Sequence, residues 1–305
     1  MSWPRLLGIS SLILVGLFLA ILAASTEEAT SPHTWSDATR LPQTVRDVPL
    51  AATYTFAGER LPIDNFDVRE RLERELIVNA YWHSSTLMAL KNATRYFPAI
   101  ESILRKHHIP DDFKYLVVAE SNFRHVTSPA GAKGFWQFLK STAQDYGLEV
   151  NGEVDERYHL EKATEAACKY FQKLYDRFGS WTLVAAAYNM GPSTLAREMT
   201  IQQMDNYYDL NLSEETNRYI FRIVALKEIL THPEQFGFEL DTQARYAPLT
   251  NYSIVRVDSS ISSLGAFAKQ HGTTYRMLKI YNPWLRSYQL TNRVGKIYQI
   301  RIPRP

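Results

Sequence analysis

Cysteine occurs once in 305 residues, at Cys168, and that scarcity excludes an intrachain disulfide and any CxxC metal or redox site. The thiol falls in the amphipathic stretch 161–178, where an inert buried side chain is expected. Charge of one sign is missing too: 34 Lys and Arg stand against 32 Asp and Glu, for a net +2. No basic run exists that would serve as a nucleic-acid footprint, so no nucleic-acid partner is expected. HExxH, G-x-S-x-G and P-loop motifs are absent, and the eight histidines, the His107-His108 pair included, lack ligand spacing. Zinc-peptidase, serine-hydrolase and nucleotide chemistries are thereby set aside, and neither a metal nor another cofactor is expected. A chain with 45% hydrophobic and 22% charged residues is ordinary globular material, long enough for one large or two modest domains.

What is present begins at the N-terminus. After Met1–Arg5 comes LLGISSLILVGLFLAILAA, residues 6–24, uncharged and long enough to span a hydrocarbon core. Residues 1–25 are therefore read as a signal peptide or membrane anchor; Ala23-Ala24-Ser25 offers a cleavage site, while the length of the run favours a retained anchor. The chain is expected to be exported to the periplasm and tethered in the cell envelope. Residues 26–66, with Pro32, Pro42, Pro49 and Pro62, read as a tether whose coil span is on the order of 35 Å. The other reading is an ordered strap, docked by Tyr54 and Phe56.

Residues 67–231 carry one helical pattern after another. Val68–Lys91 is amphipathic, Ala93–His107 follows, and short helices are expected near Ser141–Tyr146 and over Trp181–Asn189. In 161–178 Ala163, Ala166, Ala167, Tyr170, Phe171 and Leu174 form an apolar stripe that Gly179 ends. Glu214–Leu230 sets Tyr219, Ile220, Ile223 and Leu226 on one side. Residues 232–250 read as a linker. Beyond it, alternation over Tyr252–Val257 and Tyr298–Pro303 predicts two strands around two short helices, a βααβ unit over 251–305. The fold class is mostly α, with a small α+β C-terminal domain.

One residue departs from these patterns. In IPDDFKYLVVAES, residues 109–121, Phe113, Leu116, Val117 and Glu120 recur at i, i+3, i+4 and i+7, so a carboxylate sits where a buried Leu would be expected. Burial disfavours the charged form and would lift its pKa towards the roughly 6–7 useful to a general acid. The structural alternative pairs Glu120 with Arg124 or Lys133. Downstream lie Gly131, Gly134, Trp136 and Gln137, then Tyr188-Asn189 and Tyr219. Cleaving a glycosidic bond requires an enclosed acid with amides and phenols to grip a sugar, and these residue types meet that need. Each also has a structural role open to it, as core, helix end or cap.

Five ordered segments decide between the two readings: LVVAES (116–121), SPAGAKGFWQF (128–138), VDERYHLEKATEAACKYFQKLYDRFGSW (154–181), AAYNMGPS (186–193) and RYIFRIVALKEI (218–229). Together they resemble the soluble-lytic-transglycosylase catalytic domain of goose-lysozyme type, and most closely its membrane-bound lytic murein transglycosylase D group. YSIVRVDSSISSLGAFAKQHGTTYRMLKIYNP (252–283) and IYQIRIP (297–303) resemble a lysin-motif (LysM) module, although Val257-Asp258-Ser259-Ser260-Ile261 replaces its usual Gly-Asp-Ser/Thr-Leu turn.

The resemblance implies a lysozyme-like all-helical lytic transglycosylase domain over 67–231, joined by the 232–250 linker to a LysM-like peptidoglycan-binding domain over 251–305. It implies cleavage of the MurNAc-GlcNAc bond of peptidoglycan glycan strands, leaving 1,6-anhydromuramic acid ends. Glu120 would be the single acid/base. Ser121, Gln137, Tyr188, Asn189 and Tyr219 would contact substrate or line the cleft, and Asp258, Ser259, Asn282 and Pro283 would rim a glycan groove. Partners are then peptidoglycan and, through an uncleaved apolar segment, a membrane. Two rivals remain: a hydrolytic muramidase on the same scaffold, and a non-catalytic wall-binding scaffold. Asp155-Glu156-Arg157 reads as a structural ion-pair cluster at a helix entry.

Overall fold

The computed structural model describes residues 45–304, so the apolar segment 6–24 and most of the expected tether lie outside the described residues. Among the described residues, ten α-helices and two two-stranded antiparallel sheets make up a mostly α fold. No helix among them is long and apolar enough to cross a membrane.

The first element among the described residues is a small hairpin, β1 (Thr55–Phe56) and β2 (Glu59–Arg60), turned through Ala57 and Gly58 in left-handed backbone. Phe56 and Leu61 are fully buried and Tyr54 nearly so. Part of the segment expected as a tether is thus a strap packed on the body. Polar contacts hold it as well: the Ala57 amide donates to Asp112 at 2.8 Å, and the Glu59 carboxylate accepts from the Ser180 hydroxyl and from the Trp181 and Thr182 amides. A carboxylate at these unsatisfied amides complements the positive end of the helix that starts there.

Helices α1 (Phe66–Tyr81) and α2 (His83–Lys106) meet at Trp82, ten residues earlier than the break expected near Asn92. Trp82 leaves helical backbone with ψ 57°, and the Thr86 hydroxyl donates to the Asn79 carbonyl at 2.6 Å across the joint. Pro98 stays inside α2 on an exposed face, where water can take up the carbonyl that its missing N–H releases. A 3-10 turn, Asp111–Phe113, leads into the short α3 (Lys114–Ser121), which Asn122 ends in left-handed backbone at φ 48°. Then follow α4 (Lys140–Asp145), α5 (Leu160–Phe178), α6 (Trp181–Met190) and α7 (Pro192–Gln202), the last not expected from periodicity. Helix α8 (Glu214–Thr231) is the central pillar. Ile220, Phe221, Ile223, Val224, Ala225 and Ile229 are all fully buried, so most of its circumference is apolar, as befits a helix packed against α1, α3 and α6, while Arg218 and Arg222 keep one side charged.

The C-terminal unit runs β3 (Tyr252–Val257), α9 (Leu264–Gln270), α10 (Tyr275–Tyr281) and β4 (Tyr298–Pro303), with Tyr252 opposite Pro303 and Val257 opposite Tyr298. Its core includes two residues from outside it, Val154 and Tyr158. The seam is dense: Asp155 N donates to Trp284 O at 2.9 Å, Arg286 N donates to Glu153 O at 2.7 Å, Arg301 pairs with Glu161 at 2.6 Å, and the Arg286 guanidinium lies 4.2 Å over the Tyr158 ring. About fifty residues form a meagre core, and this borrowed apolar surface enlarges it. The expected linker is anchored too, with Arg95 Nε donating to Ala247 O at 3.0 Å and its guanidinium over Tyr246.

Candidate active site

Glu120 occupies the last turn of α3, where the apolar stripe Leu116-Val117 turns it inward and Asn122 then redirects the chain. Its Oε1 accepts a hydrogen bond of 2.5 Å from the hydroxyl of Tyr219, which α8 presents from the core with 1% of its surface exposed. Protein atoms enclose the carboxyl while one side stays open to a cavity of about 320 Å³. Burial raises the Glu120 pKa to about 7; the Tyr219 hydrogen bond opposes that rise, the Glu215 charge adds to it, and the Arg222 charge opposes it. No ion pair between Glu120 and Arg124 or Lys133 is formed. At neutral pH the group is poised between donor and acceptor of a proton.

The other expected residues arrive from separate elements. Tyr188, on α6, donates to the Trp136 carbonyl at 2.5 Å, and burial together with the nearby Glu120 charge drives its pKa well above the ordinary phenol value. It therefore borders the acid as a neutral phenol. Gln137 has left-handed backbone, φ 49°, and its Nε2 donates to Gly134 O at 2.7 Å, which leaves the side-chain oxygen as an acceptor. Asn189 accepts from the Thr216 hydroxyl at 2.8 Å and joins the end of α6 to the start of α8. Ser121 lines the cavity, yet it is 3% exposed and its proton goes to the Val117 carbonyl at 3.0 Å. That hydroxyl is already spent as a donor.

The loop carrying Gln137 is clamped from below. Gly134 has φ +79°, and a Cβ there would lie 1.9 Å from the Arg157 carbonyl oxygen, so only glycine permits the approach. The Arg157 guanidinium donates to the carbonyls of Gly131 at 3.2 Å and Phe138 at 3.1 Å, and pairs with Asp155 at 2.8 Å. Both partners are about 95% buried, and every charge is answered, as a buried pair requires. Glu156 meanwhile binds Lys162 and the Glu149 amide. The Asp155-Glu156-Arg157 run is a structural cluster.

In the C-terminal unit Asp258 and Ser259 are exposed and Pro283 half-buried. Asn282 is completely buried, and its amide is consumed by the Leu278 carbonyl and by both backbone groups of Arg301. It pins α10 to β4, with nothing left to offer a glycan. Cys168 is 1% exposed, and burial pushes its thiol up to about 12. It is no nucleophile.

Of the expected site residues Glu120 and Ser121 line the cavity; beside them stand Arg124 and four residues that the sequence did not flag, Glu75, Trp82, Arg218 and Arg222. The available signal was Arg218 and Arg222 bracketing Tyr219 at i, i+4 on one helix. Nothing local distinguishes Glu75 within the charged run RERLEREL.

Residues 97–211 match the family model described as Transglycosylase SLT domain, and residues 253–305 match Soluble lytic transglycosylase C-terminal LysM-like domain. The chain is 28% identical over 246 residues to "Membrane-bound lytic murein transglycosylase D" of Escherichia coli strain K12, covering 78% of this chain and 53% of that protein. The protein of the same name from E. coli O6:H1 strain CFT073 gives the same figures. The chain spans about half the length of the curated relatives it matches.

Proposed function

We propose, for a chain that carries a transglycosylase SLT domain and a soluble-lytic-transglycosylase C-terminal LysM-like domain, that it is a peptidoglycan lytic transglycosylase of the cell envelope with Glu120 as its single acid/base. The observation that carries the reading is a carboxyl raised to about 7 by burial and hydrogen-bonded by Tyr219 at 2.5 Å. Protonated Glu120 gives its proton to the oxygen linking N-acetylmuramic acid to N-acetylglucosamine, and the C1–O bond breaks. The muramic C6 hydroxyl then attacks C1. Its proton passes to the Glu120 carboxylate, which restores the starting acid, and the 1,6-anhydro ring closes without water.

Tyr219 supports the intervening state, because a hydrogen bond to the carboxylate stabilises the anion that exists between the two transfers. Tyr188 walls the acid off from solvent, while Gln137 and Asn189 contribute amide groups at the cleft. A hydrolytic muramidase would need a second carboxylate to activate water. Glu75 in the same cavity is held by Arg218 at 2.6 Å and Arg74 at 2.9 Å, and Glu215 is exposed beside Asn189, which favours the single-carboxylate reading. Asp258, Ser259 and Pro283 remain proposed glycan contacts of the C-terminal unit. Export and tethering are proposed from residues 6–24.

Digestion of purified sacculi followed by mass spectrometry tests the assignment. Anhydromuramic ends are expected, and Glu120→Gln should produce none. Reducing, hydrated muramic ends would establish the hydrolytic alternative.

A further inference from the structure

Six non-glycine residues among the described ones hold left-handed backbone, and three of them flank the acid: Asn122 at φ 48°, Phe123 at φ 56° and Gln137 at φ 49°. Asparagine enters that region readily, whereas a bulky phenylalanine there is an outlier that its surroundings must hold in place. The two consecutive left-handed residues follow Glu120-Ser121 directly and turn the chain out of α3, and the Arg124 amide closes the turn on the Ser121 carbonyl at 2.9 Å. Asn122 is restrained by a polar contact, its side-chain amide donating to the Ser85 hydroxyl at 2.8 Å. Phe123 is restrained by its ring.

That ring is 6% exposed and forms a triangle with Tyr96 and Phe135. It stacks on Tyr96 with centroids 5.4 Å apart and meets Phe135 edge-on at 6.0 Å, while Tyr96 meets Phe135 edge-on at 4.8 Å. Such stacked and edge-to-face pairs are favourable beyond the area they bury. Phe135 is itself 5% exposed and stands two residues before Gln137. One cluster, rooted on α2 through Tyr96, thus grips the chain three residues past the acid and again beside the strained amide loop. None of the three side chains lines the cavity beside Glu120. Filling the core would not require a phenylalanine at φ 56°, where glycine or asparagine is strained less.

We propose that Phe123, Phe135 and Tyr96 are positioning residues, whose ring cluster holds the Asn122-Phe123 turn and the Gln137 loop in one register and so fixes the acid and the amide relative to each other. The proposal rests on the assignment of Glu120 as the acid/base, and it names what aims that residue.

The test removes rings and keeps bulk. In Phe123→Leu the turn loses its stacking partner, and water gains access to the Glu120 carboxyl. A carbon-13 NMR titration of that carboxyl should show its midpoint falling from about 7 towards 4.5, because the burial that raises it is weakened. On peptidoglycan strands kcat should fall roughly tenfold to a hundredfold, with KM less affected. Tyr96 is half-buried on α2, so Tyr96→Leu carries the test should Phe123→Leu not fold. Tyr96→Phe keeps every ring and should behave as the parent. Phe238→Leu is the control, at a phenylalanine also 6% exposed and outside the cluster; it should melt lower with midpoint and kcat unmoved. An unmoved midpoint in the Leu variants of the cluster, an equal fall in Phe238→Leu, or a loss in Tyr96→Phe matching that in Tyr96→Leu overturns the proposal. A parent that cuts no glycan would count against the acid/base assignment instead, and the titration, which needs no turnover, would still decide the role of the rings.

Discussion

Replacing Glu120 by Gln should stabilise the protein in a way that depends on pH. In the folded state the Glu120 carboxyl titrates near 7 in place of 4.5, so between these values the native chain holds a proton that the unfolded chain has released. The number of bound protons is larger in the native state, and unfolding stability therefore falls as pH rises through this window, by about 1.4 kcal/mol for each pH unit. The fall ends near pH 7, where the native carboxyl also ionises. Integrated from 4.5 to about 7, the cost at pH 8 comes to about 3 kcal/mol. Gln is neutral throughout and keeps an oxygen for the Tyr219 hydroxyl, so the variant escapes that cost.

Urea or thermal denaturation of both proteins at half-unit steps from pH 3.5 to 8 measures the difference directly. The two should coincide near pH 3.5, diverge between 4.5 and 7, and differ by about 3 kcal/mol at pH 8, or roughly 6–12 °C in Tm for a body of this size. A constant difference across the range, or a variant less stable than the parent at pH 8, would show that the carboxyl is not kept protonated by its surroundings. The reasoning about acid catalysis would then fail with it.

Tyr219→Phe removes the bond that favours the Glu120 anion; the basic limb of the kcat/KM profile, expected near 7 in the parent from the Glu120 carboxyl, should move upward and kcat should drop roughly tenfold to a hundredfold, whereas an unmoved limb would detach Tyr219 from the acid. Gly134→Ala must place a Cβ 1.9 Å from the Arg157 carbonyl at φ +79°, and should cost roughly 2–5 kcal/mol in chemical denaturation; parental stability would contradict that contact. Truncation after Thr250 uncovers Val154 and Tyr158, so the remaining chain should melt lower and bind a hydrophobic dye, and an unchanged melting curve would mean that the two cores are independent.

Elements with a strong period were readable in advance. The alternation of Tyr252–Val257 and Tyr298–Pro303 became β3 and β4, and the Ala163-Ala167-Phe171 stripe became the inner face of α5. Glu120 stood out because a carboxylate breaks an apolar stripe, whereas the helix pattern marked Tyr219 only as a buried face residue and its place beside the acid was implied by the family resemblance alone. The β1–β2 hairpin was not legible, since strands of two residues have no period and Phe56 is buried by distant helices. Local pattern was equally silent about Asn282, whose consumption by Arg301 is decided across 19 residues. Glu75 and Arg218 meet across 143 residues of sequence, and only folding turns one acidic residue of a charged helix into a cavity wall.

The contact between the C-terminal unit and loop 149–161 has a consequence for anyone rebuilding this chain. Glu153 carries the Arg286 amide, Asp155 carries the Trp284 carbonyl, and two residues later Arg157 grips the Gly131 and Phe138 carbonyls on either side of Gln137. A chimera cut within 232–250 would leave half of this joint behind and present the Gln137 loop to an unmatched surface. The transplantable piece has two separate stretches, 149–161 and 251–304, and a graft that keeps them together should preserve the shape of the cleft.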